Sequence, residues 1–167
     1  DLLDISKIET EQVNLFEEEI SVKSFLKEIL SFFKIKAEKK SLSLNLIDDN
    51  SVRDTAIMVD MMKLKQVLYN LINNALKFTE KGSINFGYIS KGEYLEFFVK
   101  DTGKGIPEKY HKSIFDRFHK VENKSGKLYG GTGLGLAICI GLVKKMGGRI
   151  WVESEIEKGA EFYFTIP

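Results

Sequence analysis

Asn70-Leu-Ile-Asn-Asn-Ala-Leu-Lys-Phe-Thr79 interleaves polar and apolar residues at helical spacing. Read as a helix, it stacks Asn70, Asn74 and Lys77 at i, i+4 and i+7 on one face. Leu64, Leu68, Leu71, Ile72, Ala75 and Leu76 cover the rest of the turn with apolar surface. The expected element is a buried helix with one short polar stripe, uncharged except at its end. An amide carbonyl is a neutral, hard oxygen donor, suited to a Mg²⁺ ion that already carries phosphate oxygens and water. Lys77 adds a point charge one turn on. On this stretch alone, a helix whose wet face is merely Asn-rich is an equal reading.

Working outward, Asp60 caps this helix and Ile57-Met-Val59 precedes it as a short buried strand. Leu42, Leu44 and Leu46 alternate as a strand, and Asp48-Asp-Asn50 turns the chain. Ser21 caps an earlier helix striped by Val22, Phe25, Leu26, Ile29, Leu30, Phe33 and Ala37. Val13, Leu15 and Glu17 suggest an edge strand, and Leu2, Ile5 and Ile8 the tail of a helix. Downstream, Ile84, Phe86 and Tyr88, the turn Lys91-Gly92, and Tyr94 to Val99 read as a hairpin. Pro107 opens a short helix ending near Ile114. From Phe115 to Tyr129 periodicity is lost, which predicts a mobile loop. A helix follows with Leu136, Ile138, Ile140, Val143 and Met146, stopped by Gly147-Gly148, then a final hairpin to Ile166. Trp151, Phe162 and Phe164 are expected in the core. The pattern predicts an α+β two-layer sandwich, a mixed, mostly antiparallel sheet covered on one face by three helices.

Composition narrows the function class. The 167 residues carry a net charge of +1, which argues against a nucleic-acid binder driven by bulk charge. The charge is uneven: seven acids and one lysine over 1–19, seven bases and three acids over 104–127. The second run is a lid over an anion or a solvated loop. A single cysteine, Cys139, excludes an internal disulfide, suits a reducing compartment, and sits in an apolar run that favours packing.

Two glycine-rich loops carry the remaining chemistry. Asp101-Thr-Gly-Lys-Gly-Ile106 leaves a strand directly, and its carboxylate can accept a hydrogen bond from an exocyclic amine, which adenine offers and guanine lacks at that position. Gly130-Gly-Thr-Gly-Leu-Gly135 meets a helix N-terminus, where free N–H groups and the helix dipole favour phosphate. A capped turn and a hinge are the plain alternatives. Neither GxxxxGK[ST] nor GxGxxG spacing is present.

The order of these motifs resembles the nucleotide-binding domain of sensor histidine kinases, of the superfamily that includes DNA gyrase, the Hsp90 chaperones and the MutL repair proteins. Asn70–Thr79 matches the family's N box, Asp101–Ile106 the G1 box, Phe115-Asp-Arg-Phe118 the F box and Gly130–Leu136 the G2 box. Asp1–Glu9 resembles the end of the second dimerisation helix. The resemblance implies a Bergerat fold with a mobile ATP lid, a remnant of the phosphoacceptor helix over 1–9 and a catalytic ATP-binding domain over 10–167. It implies that Asn74 binds Mg²⁺, that Asn70 lies near the same phosphates, and that Lys77 touches the phosphate chain. Phe78 would line the adenine pocket, Asp101 would accept from the adenine amine, and Gly103, Gly105 and Ile106 would shape it. Gly131, Thr132, Gly133, Leu134 and Gly135 would close over the phosphates, with Lys120 near the γ-phosphate. Phe115 and Phe118 would anchor the lid.

In the gyrase and Hsp90 branches, by the same resemblance, an acid precedes the Mg²⁺-binding Asn by one turn and activates water. Asn70 stands there, and an amide is no general base at neutral pH. The implied activity is transfer of the γ-phosphate to a histidine on the parent's own dimerisation domain, and thence to a response regulator receiver domain. Asn70, Lys77 and Lys120 would serve the transfer. Neither His111 nor His119 matches the acceptor pattern; both are expected on the surface or in the second shell of the site. The parent is expected to be a homodimer anchored in a membrane, with this domain in the cytoplasm. A gyrase/Hsp90-type ATPase switch and a non-catalytic nucleotide-binding or partner-docking module remain as alternatives.

Overall fold

A computed structural model describes residues 14–47, 55–120 and 132–167. The expected helix tail over 1–9, Val13, the Asp48–Asn50 turn, and the loop from 121 through Gly131 lie outside the described residues. The chain runs β1 (Glu18–Ser21), α1 (Val22–Lys39), β2 (Ser43–Ile47), β3 (Ala56–Val59), α2 (Met61–Phe78), β4 (Ser83–Ser90), β5 (Leu95–Asp101), two 3₁₀ turns (Glu108–Tyr110 and Ser113–Phe115), α3 (Gly135–Lys145), β6 (Ile150–Glu155) and β7 (Gly159–Ile166). Five strands form one sheet in the order β2-β4-β5-β7-β6, with β2 parallel to β4 and the other pairs antiparallel. Three helices pack on it, as the sequence pattern predicts. β1 and β3 form a separate antiparallel ribbon.

Two features fix α2. Asp60, 4% exposed, is its N-cap: Oδ1 accepts from the Lys63 N–H at 3.0 Å. Its Oδ2 accepts from the Phe16 N–H at 3.0 Å, which ties the segment before β1 to the start of the helix. Leu64, Leu68, Leu71, Ile72, Ala75 and Leu76 are buried, and their removal from water holds α2 on the sheet.

Strand parity then aims the site. Leu46, Phe86, Val99, Phe162 and Val152 are register partners across the sheet and point towards the helices. Phe97 and Phe164, both fully buried, stack at 5.0 Å in the adjacent row. Asp101 lies two residues beyond Val99, so the parity that buries Val99 turns the Asp101 carboxylate to the helix side at the strand's end.

Three expectations are corrected. The first strand begins at Glu18, and Leu15 and Glu17 precede it. The helix expected after Pro107 is two separate 3₁₀ turns, with Pro107 extended at ψ 138° before the first. Trp151 is half-buried outside the core: it pairs with Tyr163 on the sheet face away from the helices, 5.4 Å ring to ring, while its neighbour Val152 faces inward.

Candidate functional site

A cleft of about 270 Å³ opens between α2, the first glycine loop and the start of α3. From α2 it takes Asn70, Asn74, Lys77 and Phe78, the stripe read from the sequence. Asn73 faces the other way, where its Oδ1 accepts from Lys36 Nζ at 2.6 Å. Asn70 Nδ2 donates to the Gly135 carbonyl at 3.2 Å, joining the N box to the first residue of α3. Asn70 also bonds the buried thiol of Cys139, whose pKa burial pushes up to about 12, so that sulfur is chemically quiet.

Asp101 forms the deep end. Its Oδ1 accepts from the Gly103 N–H at 2.8 Å and the Ala160 N–H at 3.3 Å. Burial holds its pKa above the ordinary carboxylate value, and these two N–H groups pull partly the other way. Thr79, the C-cap of α2, is 1% exposed, and its Oγ1 has no hydrogen-bond partner among the described residues. A buried hydroxyl without a partner is costly unless something else completes it. Ile106, Ile114 and Phe162 give this end apolar walls.

The mouth is cationic. Lys77, Lys104 and Lys120 all line it, and Lys77 Nζ and Lys104 Nζ lie 4.9 and 5.0 Å from the Phe78 ring centre. Although Lys77 is an exposed residue, its ammonium is partly desolvated at the cleft wall. That desolvation, followed by repulsion from Lys120 and Lys104, holds its pKa below the usual value. Three like charges focused on one opening favour a polyanion.

The second glycine loop closes the cleft with Thr132, Gly133 and Gly135. Among the described residues no side chain caps the N-terminus of α3, so its first N–H groups lie at the cleft unclaimed by a cap. A Cβ on Gly135 would meet nothing closer than the Asn70 amide carbon at 3.7 Å, ordinary contact distance. Its φ is not in the left-handed region. Among the described residues no neighbouring atom requires a glycine at 135, and the backbone there is open to close approach.

Comparison with known proteins fits this arrangement. Residues 59–167 match the family described as "Histidine kinase-, DNA gyrase B-, and HSP90-like ATPase". The chain belongs to that family. Over 167 residues it is 40% identical to the sensor histidine kinase RcsC of Escherichia coli (strain K12), covering 100% of this chain and 18% of that one, so it spans about a fifth of such a relative. Full-length ShkA, solved in complex with AMPPNP, superposes with a TM-score of 0.87 at 28% identity, over 99% of this chain and 34% of that one. Histidine kinase ThkA in complex with response regulator protein TrrA gives 0.77 at 29% identity, over 99% and 47%. The domain is an ATP-binding catalytic domain of the histidine-kinase type.

Within this kinase-type domain most of the expected site residues share the one cleft, and some do not. Gly103 is absent from the lining: a Cβ there would meet the Phe78 carbonyl oxygen at 2.5 Å, so it serves the close approach of loop to helix. Leu134, 2% exposed, belongs to the core. Phe115 is half-buried against Phe162, 6.3 Å ring to ring, as an anchor should be, whereas Phe118 is 63% exposed and holds the second loop only through its N–H, which donates to the Gly133 carbonyl at 3.0 Å. His119, expected on the surface or behind the site, lines the cleft itself. Lys104 and Thr79 went unremarked as site residues in the sequence. The first could have been found as the base between two required glycines, the second as the residue following Phe78 at a helix end.

Proposed function

We propose that this domain binds ATP with Mg²⁺ and presents the γ-phosphate to a histidine imidazole on the dimerisation domain of its parent protein, which passes the phosphoryl group to a response regulator receiver domain. The observation that carries the reading is the polarity of one cleft. Its closed end holds a half-buried carboxylate with one oxygen fixed by two N–H donors, and its open end holds three lysines and an uncapped helix. An adenine amine fits the first and a triphosphate the second.

Mg²⁺ fits the donors present. Asn74 supplies an amide oxygen from the cleft wall, with Asn70 one turn away, and phosphate oxygens and water would complete a hard-ligand set. When bound, the ion neutralises phosphate charge. Lys77 and Lys120 then hold the phosphate chain, and the loop from Thr132 to Gly135 covers it, so the chain's own part is positioning and charge stabilisation. Asn70 stands where an acid would be needed to activate water, and its amide nitrogen is engaged by the Gly135 carbonyl. This favours an outside nucleophile over a gyrase-type hydrolytic switch. The AMPPNP complex of ShkA and the ThkA–TrrA complex support ATP and a response regulator as partners by analogy. Residues 1–9 are read as the end of the second helix of the dimerisation/phosphoacceptor domain, the parent as a homodimer, and this domain as its cytoplasmic part.

The test is radiolabelled ATP with this domain and the parent's separately purified dimerisation domain. Label on the acceptor, lost on Asn74→Ala, is the expected result. Steady phosphate release by the domain alone, with no label on the acceptor, would favour the hydrolytic switch instead.

A further inference from the structure

The F box ends in a backbone reversal that sends two neighbouring side chains opposite ways. Phe118 has φ +57°, in the left-handed region that a bulky side chain rarely adopts. Its ring is 63% exposed, and the next residue, His119, turns into the cleft. Gly133 locks this geometry: it accepts from the Phe118 N–H at 3.0 Å, and a Cβ on it would come within 2.9 Å of the Phe118 backbone. This conformation exposes a phenylalanine and directs an imidazole into the cleft.

That imidazole is incomplete. Nε2 of His119 is buried from water and has no hydrogen-bond partner among the described residues. The ring leans on Tyr110 at 5.6 Å, which holds its face but engages neither nitrogen. His111, by contrast, is satisfied within the protein, its Nε2–H donating to the Ile106 carbonyl at 2.9 Å. A buried donor without a partner carries a desolvation cost that a bound group can remove. The groups sharing the cleft with His119 are the ammoniums of Lys77, Lys104 and Lys120, the carboxylate of Asp101 and the amides of Asn70 and Asn74. Cations dominate that set, so the cleft draws an anion, and the Nε2–H form of the ring would offer that anion a donor.

We propose that His119 is a phosphate ligand, its Nε2–H donating to a non-bridging oxygen of the nucleotide's phosphate chain. The proposal rests on the ATP reading above and adds a positioning residue to it. By this route the second glycine loop, through Gly133 and Phe118, sets both its own N–H groups and the imidazole on the same phosphates.

The experiment compares wild type, His119→Phe and His119→Gln for binding of ATP, ADP and adenosine by calorimetry. Phenylalanine keeps a ring against Tyr110 and removes the donor; glutamine restores an N–H of similar reach. The expected result is about a tenfold loss of ATP and ADP affinity in His119→Phe, most of it recovered in His119→Gln, with adenosine affinity unchanged in both. Unchanged adenosine binding also shows that the fold is intact. ¹⁵N spectra of the two histidines should show the His119 Nε2 resonance moving on addition of ATP and not of adenosine. Equal losses for adenosine and ATP would overturn the phosphate assignment, as would ATP affinity that is indifferent to both substitutions. Failure of wild type to bind ATP at all would overturn the nucleotide reading itself.

Discussion

At Gly105 a methyl group would sit 2.0 Å from the Glu155 carbonyl oxygen; at Gly135, on the other side of the same cleft, it would sit 3.7 Å from the nearest protein atom. Gly105 also has φ +73°, while Gly135 has an ordinary helical entry. The first loop is glycine-rich because the protein's own backbone passes through it: β6 approaches Gly105 and the end of α2 approaches Gly103. At its last residue the second loop is glycine for no reason that the described residues show. The first glycine loop is therefore part of the scaffold that holds Asp101, and the second leaves its backbone open at Gly135. Substitutions in the two loops should separate stability from binding.

The largest binding effect belongs to Asp101→Asn. Asn keeps an Oδ1 to accept from Gly103 and Ala160, so the loop should survive. The second oxygen becomes an N–H and would face the adenine amine donor to donor. ATP affinity should fall by roughly 100-fold or more, since hydrogen bonds to charged groups are among the stronger ones. The apo protein should not suffer. With its folded pKa held above the unfolded value, Asp101 binds more protons folded than unfolded between those two values, so its contribution favours folding at low pH and is lost as pH rises through the folded pKa. At neutral pH the ionised, desolvated carboxylate is a cost that Asn removes. A melting temperature equal to or above wild type, together with lost binding in calorimetry, is the expected pair. A lower melting temperature would mean that Asp101 supports the fold.

Gly105→Ala should do the reverse of Gly135→Ala. A side chain in the left-handed region costs on the order of 1–2 kcal/mol, and the contact with the Glu155 carbonyl adds to it. Urea denaturation should show a loss of at least about 2 kcal/mol, with nucleotide binding falling only as the fold does. Gly135→Ala should leave stability unchanged or raise it by up to ~1 kcal/mol, because alanine restricts the unfolded chain more than glycine does. Yet it should weaken ATP by about tenfold and leave adenosine alone, as a methyl group takes the place where phosphate approaches α3. If Gly135→Ala bound ATP normally, the contrast between the loops would collapse and the cradle would have to lie elsewhere.

This division was only partly legible in the sequence. Helix α2 was, from its Asp60 cap to Phe78, because a continuous apolar stripe and a side-chain cap are both local signals. So was the pairing of β4 with β5, where alternation and turn residues agree. Trp151 was misplaced because it was judged by size. Alternation with Ile150 and Val152 assigns it to the other face, and the register partner of Val152 is the buried Phe162. The first strand was placed too early because Val13 and Leu15 alternate, while Glu18 and Glu19 are both exposed and only Ile20 is buried. A two-stranded ribbon with one inward residue leaves almost no pattern. His119 was not legible at all: its direction depends on a left-handed φ at Phe118, held by Gly133 fifteen residues further along the chain rather than by neighbours in sequence.

The smallest expected effect is a pH dependence at the cationic mouth. Lys77 has a folded pKa held below its unfolded value by desolvation and by Lys120 and Lys104. Between the folded and unfolded values the unfolded chain binds more protons, so the Lys77 contribution to apo stability improves as pH rises through that window. A bound triphosphate reverses the balance. It supplies the counter-charge, raises the Lys77 pKa, and draws in protons on binding wherever the free lysine is partly neutral. ATP affinity should therefore decline by a few-fold as pH rises from neutral towards the lowered Lys77 pKa, while apo stability does not decline for the same reason. Calorimetry in two buffers of different ionisation enthalpy should report net proton uptake at the upper end. Lys77→Met should bind ATP more weakly at pH 7 and flatten the slope. Adenosine, which never reaches the mouth, should show no slope in either protein. An equal slope for adenosine would trace the titration to the Asp101 end and move the charge coupling from the second loop to the first.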